Sequence, residues 1–124
     1  MNTSFPVFLQ LIATIKHIHQ KKGYDDDQAV NISHFLYVEL LELGLTAEQV
    51  RDLKAYIDRN RKPDYQLLSD ININTKKLRE ITQNLYETLC NSIGPVKTDG
   101  LYAEAIAIVE KSKLATLFSP RELF

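Results

Sequence analysis

The sequence lacks the cysteines, the net charge and the long apolar runs that mark several common classes of protein. Its one cysteine, Cys90, cannot form an internal disulfide, which fits a reducing compartment. The formal net charge is only −1, so no bulk charge draws the chain to nucleic acid or to an anionic membrane. No apolar run approaches the roughly 20 residues that cross a bilayer, and no basic segment precedes the first apolar stretch. We therefore expect a cytoplasmic protein without a membrane span.

Motifs of catalysis are also lacking. The sequence has no Gly-x-Ser-x-Gly elbow, no phosphate-binding loop and no dinucleotide fingerprint. Cys90 stands in a stretch with helical apolar spacing, where small buried cysteines are common. Glu39 and Glu42 are three residues apart and share a helix face, but such a pair usually lies at a solvated edge. We therefore expect no enzymatic activity.

The sequence does have apolar residues at helical spacing, and glycines and capping residues separate the segments that show this spacing. Its 124 residues fit one domain, residues 1–124. These glycines and capping residues divide the chain into five predicted helices, and no strand pattern competes with them. The predicted helices cover about residues 5–22, 27–43, 46–60, 75–93 and 99–113. We predict an all-α five-helix bundle.

The ends of the predicted helices have recognisable chemistry. Asp27 is expected to accept hydrogen bonds at the start of the second helix, and Gly44 to end that helix. Thr46 and Gln49 have the spacing of a capping box before the third helix. Ser119, followed by proline, predicts one more helical start near the C-terminus. The second helix is apolar on nearly all sides, so we expect it to be the central helix.

The stop and start signals recur in two halves of the chain, as a pseudo-repeat. The first half reads helix, Gly23, acidic turn, helix and cap; the second reads helix, Gly94, a turn with Asp99, helix and cap. The matching pieces are KKGYDDDQAV with LELGLTAEQV, and GPVKTDGLYAEAI with LFSPREL. This arrangement resembles the tellurite-resistance TerB-like family of small helical domains with two related halves. The resemblance implies a TerB-like bundle and a stress-associated role.

The resemblance also implies a site for a divalent cation such as calcium, because acidic residues in these turns bind cations in that family. The ligands that it implies are Asp25, Asp27, Asp99 and Glu104. The residues by themselves allow another interpretation, in which the aspartates cap a helix and favour its dipole. A histidine site is not expected, since His17 and His19 lie about 200° apart on a helix and cannot bind one metal from one face.

The segment KHIHQKKGYDDDQAV places positive charge beside three aspartates, and we expect this corner to be exposed and to bind another protein. Its candidate contact residues are Lys16, Lys21, Lys22, Tyr24, Asp25 and Asp26. The chain has six tyrosines, a residue that is enriched at interfaces because its ring is apolar and its hydroxyl tolerates water. The apolar terminal stretches, FPVF and LATLF, are expected either to complete the core or to mediate self-association.

We therefore expect a non-catalytic protein-interaction or regulatory module. The alternative is an inhibitor or immunity-type protein that binds a toxin or an enzyme. A nucleic-acid-binding regulator comes third, because the third helix begins like the second helix of a helix-turn-helix motif but mixes acidic and basic residues. The main basic region would be formed by Arg59, Arg61 and Lys62, with Lys76, Lys77 and Arg79.

Overall fold

The computed structural model describes residues 4–24, 31–59, 71–112, 115 and 118–123. Within these residues it has five α-helices, a short 3-10 helix and no strand, which confirms the predicted all-α bundle. The elements are α1 (Ser4–Lys21), α2 (Ile32–Glu42), α3 (Ala47–Arg59), α4 (Thr75–Ile93), α5 (Pro95–Glu110) and the 3-10 helix Pro120–Leu123.

Helix α1 is the centre of the bundle. It packs against α3, α4, α5 and the 3-10 helix. Its buried apolar side chains are Phe5, Val7, Phe8, Leu9, Leu11, Ile12, Ile15 and Ile18. A helix that is in contact on most sides must be apolar on most sides. The apolar residues of α1 therefore form the core against which α3, α4, α5 and the 3-10 helix pack.

Helix α2 is peripheral, so the prediction that it is central was wrong. It packs mainly against α3, with a smaller contact to α4. Its buried apolar residues are only Ile32, Leu36 and Leu40, whereas Val38 and Leu41 remain 40% and 41% exposed. Within the part of the chain that the structure describes, no second layer of helices covers Val38 and Leu41, and these side chains face solvent.

Two predicted helix starts are corrected. Helix α2 begins at Ile32, not near residue 27, and its cap is Asn31, whose side chain accepts a hydrogen bond of 3.0 Å from the His34 amide. Asp27 lies outside the described residues. Helix α5 begins at Pro95 rather than Asp99, because proline is well suited to the first helical position. The Gly-Pro pair therefore ends α4 and also starts α5.

The glycine and capping signals at other ends are confirmed. Gly23 has φ +75°, and the amides of Gly23 and Tyr24 donate to the carbonyls of Gln20 and His19, which is the Schellman pattern. Before α3, the Thr46 amide donates to Gln49 Oε1 at 2.9 Å. The Gln49 amide in turn donates to Thr46 Oγ1 at 3.1 Å. Local sequence chemistry therefore fixes where α1 ends and α3 begins.

The two predicted halves share the order of their elements but not their connections. Ten residues, 22–31, join α1 to α2, whereas Gly94 alone joins α4 to α5. Asp99 and Gly100, assigned to a turn by the repeat, both lie within α5. None of the helices in the described ranges combines the length and the apolar character needed to cross a bilayer.

Candidate functional site

The basic side of the predicted binding corner is used for contacts within the protein. Lys16 Nζ lies 2.7 Å from an Asp58 carboxylate oxygen, and its side chain is only 16% exposed. Lys22 Nζ lies 3.3 Å from Glu104 of α5. Lys21 is exposed, whereas Asp25 and Asp26 lie outside the described residues. The expectation that Lys16 belongs to a solvent-facing corner was therefore wrong, since it joins α1 to α3.

Tyr24 is half-buried at the end of α1 and contacts two neighbouring side chains. Its ring meets the His19 ring edge-to-face, with centroids 5.9 Å apart. Lys97 Nζ lies 5.4 Å from the centroid of the Tyr24 ring, within cation–π range. His17 is exposed whereas His19 is buried, which confirms that the two histidines point apart. This end of α1 is a structural junction with α5.

The implied cation ligands in α5 do not form a pair. Asp99 and Glu104 are five residues apart on one helix, so they point about 140° apart. Asp99 accepts a short hydrogen bond from the Tyr86 hydroxyl, and Glu104 contacts Lys22. The described part of the chain holds no group of three or more His, Cys, Asp or Glu side chains suited to a metal ion. Asp25 and Asp27 lie outside it, so their part in a cation site stays a prediction.

A different surface, the outer face of α2, is exposed and apolar. We define the α2 outer face as Val38, Leu41 and Glu42, with Phe35 at its edge, where the ring is half-buried against the core. Val38 lies three residues from both Phe35 and Leu41 and four from Glu42, so these side chains are neighbours along one stripe. Val38 and Leu41 are among the few large apolar side chains of the described residues that remain more than a third exposed. The sequence shows that α2 is apolar on nearly all sides, but this pattern predicts a buried helix as readily as an exposed apolar face.

The electrostatics of α2 are one-sided. The helix carries Glu39 and Glu42 and has no lysine or arginine. Burial, with a contribution from the nearby Glu42 charge, raises the pKa of Glu39 above its usual value of 4.5. The C-terminal end of α2 adds the negative end of the helix dipole without a basic residue in its last turn. This end of α2 therefore attracts positive charge.

The basic region expected for nucleic acid is partly engaged elsewhere. Lys77 pairs with Glu80 at 3.4 Å, and Arg79 donates to the Glu122 backbone carbonyl at 3.0 and 3.1 Å. Lys76 is exposed. Arg61, Lys62 and the side chain of Arg59 lie outside what the structure describes. Among the described residues of this basic set, Lys76 is therefore the side chain that remains available to a nucleic acid.

Comparisons of the chain with protein-family models, with curated proteins and with solved structures find no match. The resemblance to the TerB-like family therefore stays a prediction. The case for function comes from the geometry of the α2 outer face.

Proposed function

We propose that the protein is a non-catalytic interaction module whose α2 outer face binds a basic amphipathic helix of a partner protein. The observation that carries the proposal is the exposure of Val38 and Leu41 on a helix that bears only acidic charge. Apolar anchors at a spacing of three or four residues are how a helix recognises another helix in a groove or along a face. Lysine or arginine beside the partner's apolar residues would meet Glu39 and Glu42.

The expected energetics suit a transient regulatory contact. Full burial of a valine or leucine side chain contributes about 1.5–3 kcal/mol. About 40% of the surface of Val38 and of Leu41 is still exposed and could be covered by a partner. Each anchor then contributes about 1 kcal/mol. Charge attraction at Glu42 would act mainly on the association rate and on specificity, and would weaken with salt.

The module is proposed to act in the cytoplasm, because its lone Cys90 cannot form an internal disulfide and therefore fits a reducing compartment. An immunity-type inhibitor and a nucleic-acid-binding regulator remain the alternatives from the sequence. A tight single partner would distinguish the first of these, and retention on nucleic acid at low salt the second.

The test is a titration followed by backbone-amide NMR. The probe is a synthetic amphipathic helix of leucine and lysine, and the matched control is the same peptide with glutamate in place of lysine. We expect the lysine peptide to shift the amide signals of Val38, Leu41 and Glu42. The glutamate peptide should leave them in place, because it places like charge beside Glu39 and Glu42.

Two results would overturn the proposal. One is the absence of shifts in α2 with the lysine peptide, or equal shifts with both peptides. The other is a concentration-dependent dimer in sedimentation experiments that V38E/L41E abolishes, since the occupant of the face would then be a second copy of the chain.

A further inference from the structure

The helices fall into two groups according to their contacts. Helices α1, α4 and α5 and the 3-10 helix form one group, in which every pair of elements is in contact. We call this group the four-element core. Helices α2 and α3, residues 32–59, form the second group, which we call the α2–α3 hairpin. The hairpin meets the core mainly where α3 packs on α1, with a smaller contact of α2 with α4.

The four-element core has polar contacts of its own in addition to its apolar packing. The Tyr102 hydroxyl of α5 donates to the Thr82 carbonyl of α4 at 2.8 Å. Arg79 of α4 donates to the Glu122 carbonyl of the 3-10 helix at 3.0 and 3.1 Å. None of these contacts involves the hairpin, so they persist if the hairpin moves away.

The α2–α3 hairpin is also held together internally. Ser33 of α2 donates a short hydrogen bond to Asp58 of α3. Lys54 Nζ of α3 lies 5.6 Å from the centroid of the Tyr37 ring of α2, within cation–π range. Only residues 43–46 join the two helices. These contacts favour movement of α2 and α3 as one unit.

The seam between the two groups is incompletely packed. An open cleft of about 340 Å³ lies along it, with Ala13 and Thr14 of α1 on the core side and Tyr56 and Ile57 of α3 on the hairpin side. Protein interiors leave few voids larger than a water molecule, so a cleft of this size marks a boundary where α1 and α3 are only partly in contact.

An ion pair crosses the seam beside the cleft. Lys16 Nζ of α1 lies 2.7 Å from an Asp58 carboxylate oxygen of α3, and the two side chains are 16% and 32% exposed. Because both groups reach solvent, the pair can separate without leaving a buried, unpaired charge. Asp58 would also keep its hydrogen bond from Ser33 within the hairpin.

We propose that the α2–α3 hairpin opens along this seam as one conformational unit while the four-element core stays folded, with the Lys16–Asp58 ion pair as its clamp. Cooperative opening units often coincide with supersecondary motifs of this kind. Opening exposes the apolar side chains through which α3 packs on α1, and gives the protein a second state whose population a ligand can shift. The inference does not depend on the proposed function of the α2 outer face, since its test needs no partner.

The test is native-state hydrogen exchange of the whole chain, followed by NMR at pH 7 and at low urea concentrations. We expect the amides of Leu36, Leu40 and Leu53 in the hairpin to share one opening free energy. Relative to their intrinsic rates, they should exchange about tenfold faster or more than the amides of Leu85 and Leu101 in the core. Their exchange should also depend less on urea, because a partial opening exposes less surface than complete unfolding.

A variant in the core distinguishes two units from one. Ile106 is buried in α5, whose main contacts are with the other core elements. The packing lost in Ile106→Val is lost equally in the closed and the open state. The core amides should therefore exchange about fivefold faster, whereas the hairpin amides should not change.

A variant at the clamp tests the role of the ion pair. Asp58→Asn should speed exchange of the hairpin amides about fivefold, because it weakens a contact that the open state lacks. Asp52→Asn is the matched control in the same helix, since Asp52 is 51% exposed, and it should leave exchange unchanged.

Three results would overturn the proposal. Equal opening free energies in all five helices would show a single cooperative unit, and so would an effect of Ile106→Val on α3 as large as its effect on α4. Opening of α2 alone, with α3 protected as strongly as α1, would show that the hairpin is not the unit. Equal effects of Asp58→Asn and Asp52→Asn would remove the ion pair as the clamp.

Discussion

Lys16 Nζ of α1 lies 2.7 Å from an Asp58 carboxylate oxygen near the end of α3. Ser33 of α2 donates a short hydrogen bond to the same carboxylate oxygen. One carboxylate thus ties together three helices, including the peripheral α2. Because α2 has few buried side chains, this contact helps to fix the orientation of its outer face.

Asp58→Asn should destabilise the protein by about 1 kcal/mol at pH 7, since it removes a charge-assisted hydrogen bond that is partly exposed to solvent. Burial raises the pKa of Asp58, but hydrogen bonds from Lys16 and Ser33 lower it below the usual 3.8 overall. The stabilisation is therefore present above pH 3.8 and lost as the pH falls through the lower folded value. Urea unfolding of wild type and variant should give free energies that converge in acid.

The control for this experiment is Asp52→Asn. Asp52 is 51% exposed and lies 4.0 Å from Arg51, so the change should stay within about 0.5 kcal/mol. A loss at Asp52 equal to that at Asp58 would show that the three-helix contact adds nothing specific.

Leucines in α1 and α2 should respond very differently to truncation. Leu11 in α1 is fully buried and Leu41 in α2 is 41% exposed. Leu11→Ala should cost about 2–5 kcal/mol because it leaves a cavity in the core. Leu41→Ala should cost only about 1 kcal/mol, because the side chain is partly exposed and its removal leaves no closed cavity. Thermal or urea unfolding measures both, and a larger loss at Leu41 would restore α2 as the central helix.

The contrast between α1 and α2 shows how far the sequence determines the fold. Caps are local, so Gly23, Thr46 and Gln49 were assigned correctly from neighbouring residues alone. Which apolar helix becomes central depends on contacts between distant segments, and the composition of α2 does not reveal them. The apolar residues that suggested burial instead form the candidate binding face.

Tyr102 should behave as a buried anchor between α5 and α4. It is 1% exposed, and its hydroxyl donates to the Thr82 carbonyl at 2.8 Å. Tyr102→Phe should cost about 1 kcal/mol at pH 7. Burial raises the pKa of Tyr102 above its usual value of 10.0, so its stabilisation is complete below pH 10 and is lost as the pH rises further.

Urea unfolding at neutral and alkaline pH checks the Tyr102 prediction, and the alkaline loss should be smaller in Tyr102→Phe than in wild type. Tyr37→Phe is the control, because its ring keeps the contact with Lys54 at 5.6 Å. An unchanged alkaline loss in Tyr102→Phe would assign that loss to other groups.

The capping box before α3 gives a local prediction. Thr46→Ala should destabilise the protein by about 1 kcal/mol, because the Gln49 amide loses its acceptor. Thr88→Ala makes the same chemical change within α4, where the hydroxyl donates a hydrogen bond to the backbone carbonyl of Asn84, four residues earlier. That change should be neutral or slightly stabilising. Equal effects at the two positions, measured by urea unfolding, would argue against the box.

The α2 outer face predicts a loss of binding that a matched exposed position does not share. V38E/L41E replaces two exposed apolar side chains with charge of the wrong sign for a basic partner. V96E is the matched control, since Val96 is 83% exposed but lies alone at the start of α5. V96E should unfold within about 0.5 kcal/mol of wild type. V38E/L41E should lose about 2 kcal/mol, because it removes partly buried apolar area and adds carboxylates beside Glu39 and Glu42, so its circular dichroism is measured to show that it is folded at the temperature of the titration.

Calorimetric titration of the leucine–lysine helix into wild type, V38E/L41E and V96E tests the account most directly. We predict that wild type and V96E bind with equal affinity, and that V38E/L41E loses at least tenfold. Equal affinity in all three proteins, or binding lost equally in V96E, would contradict a specific site at Val38 and Leu41.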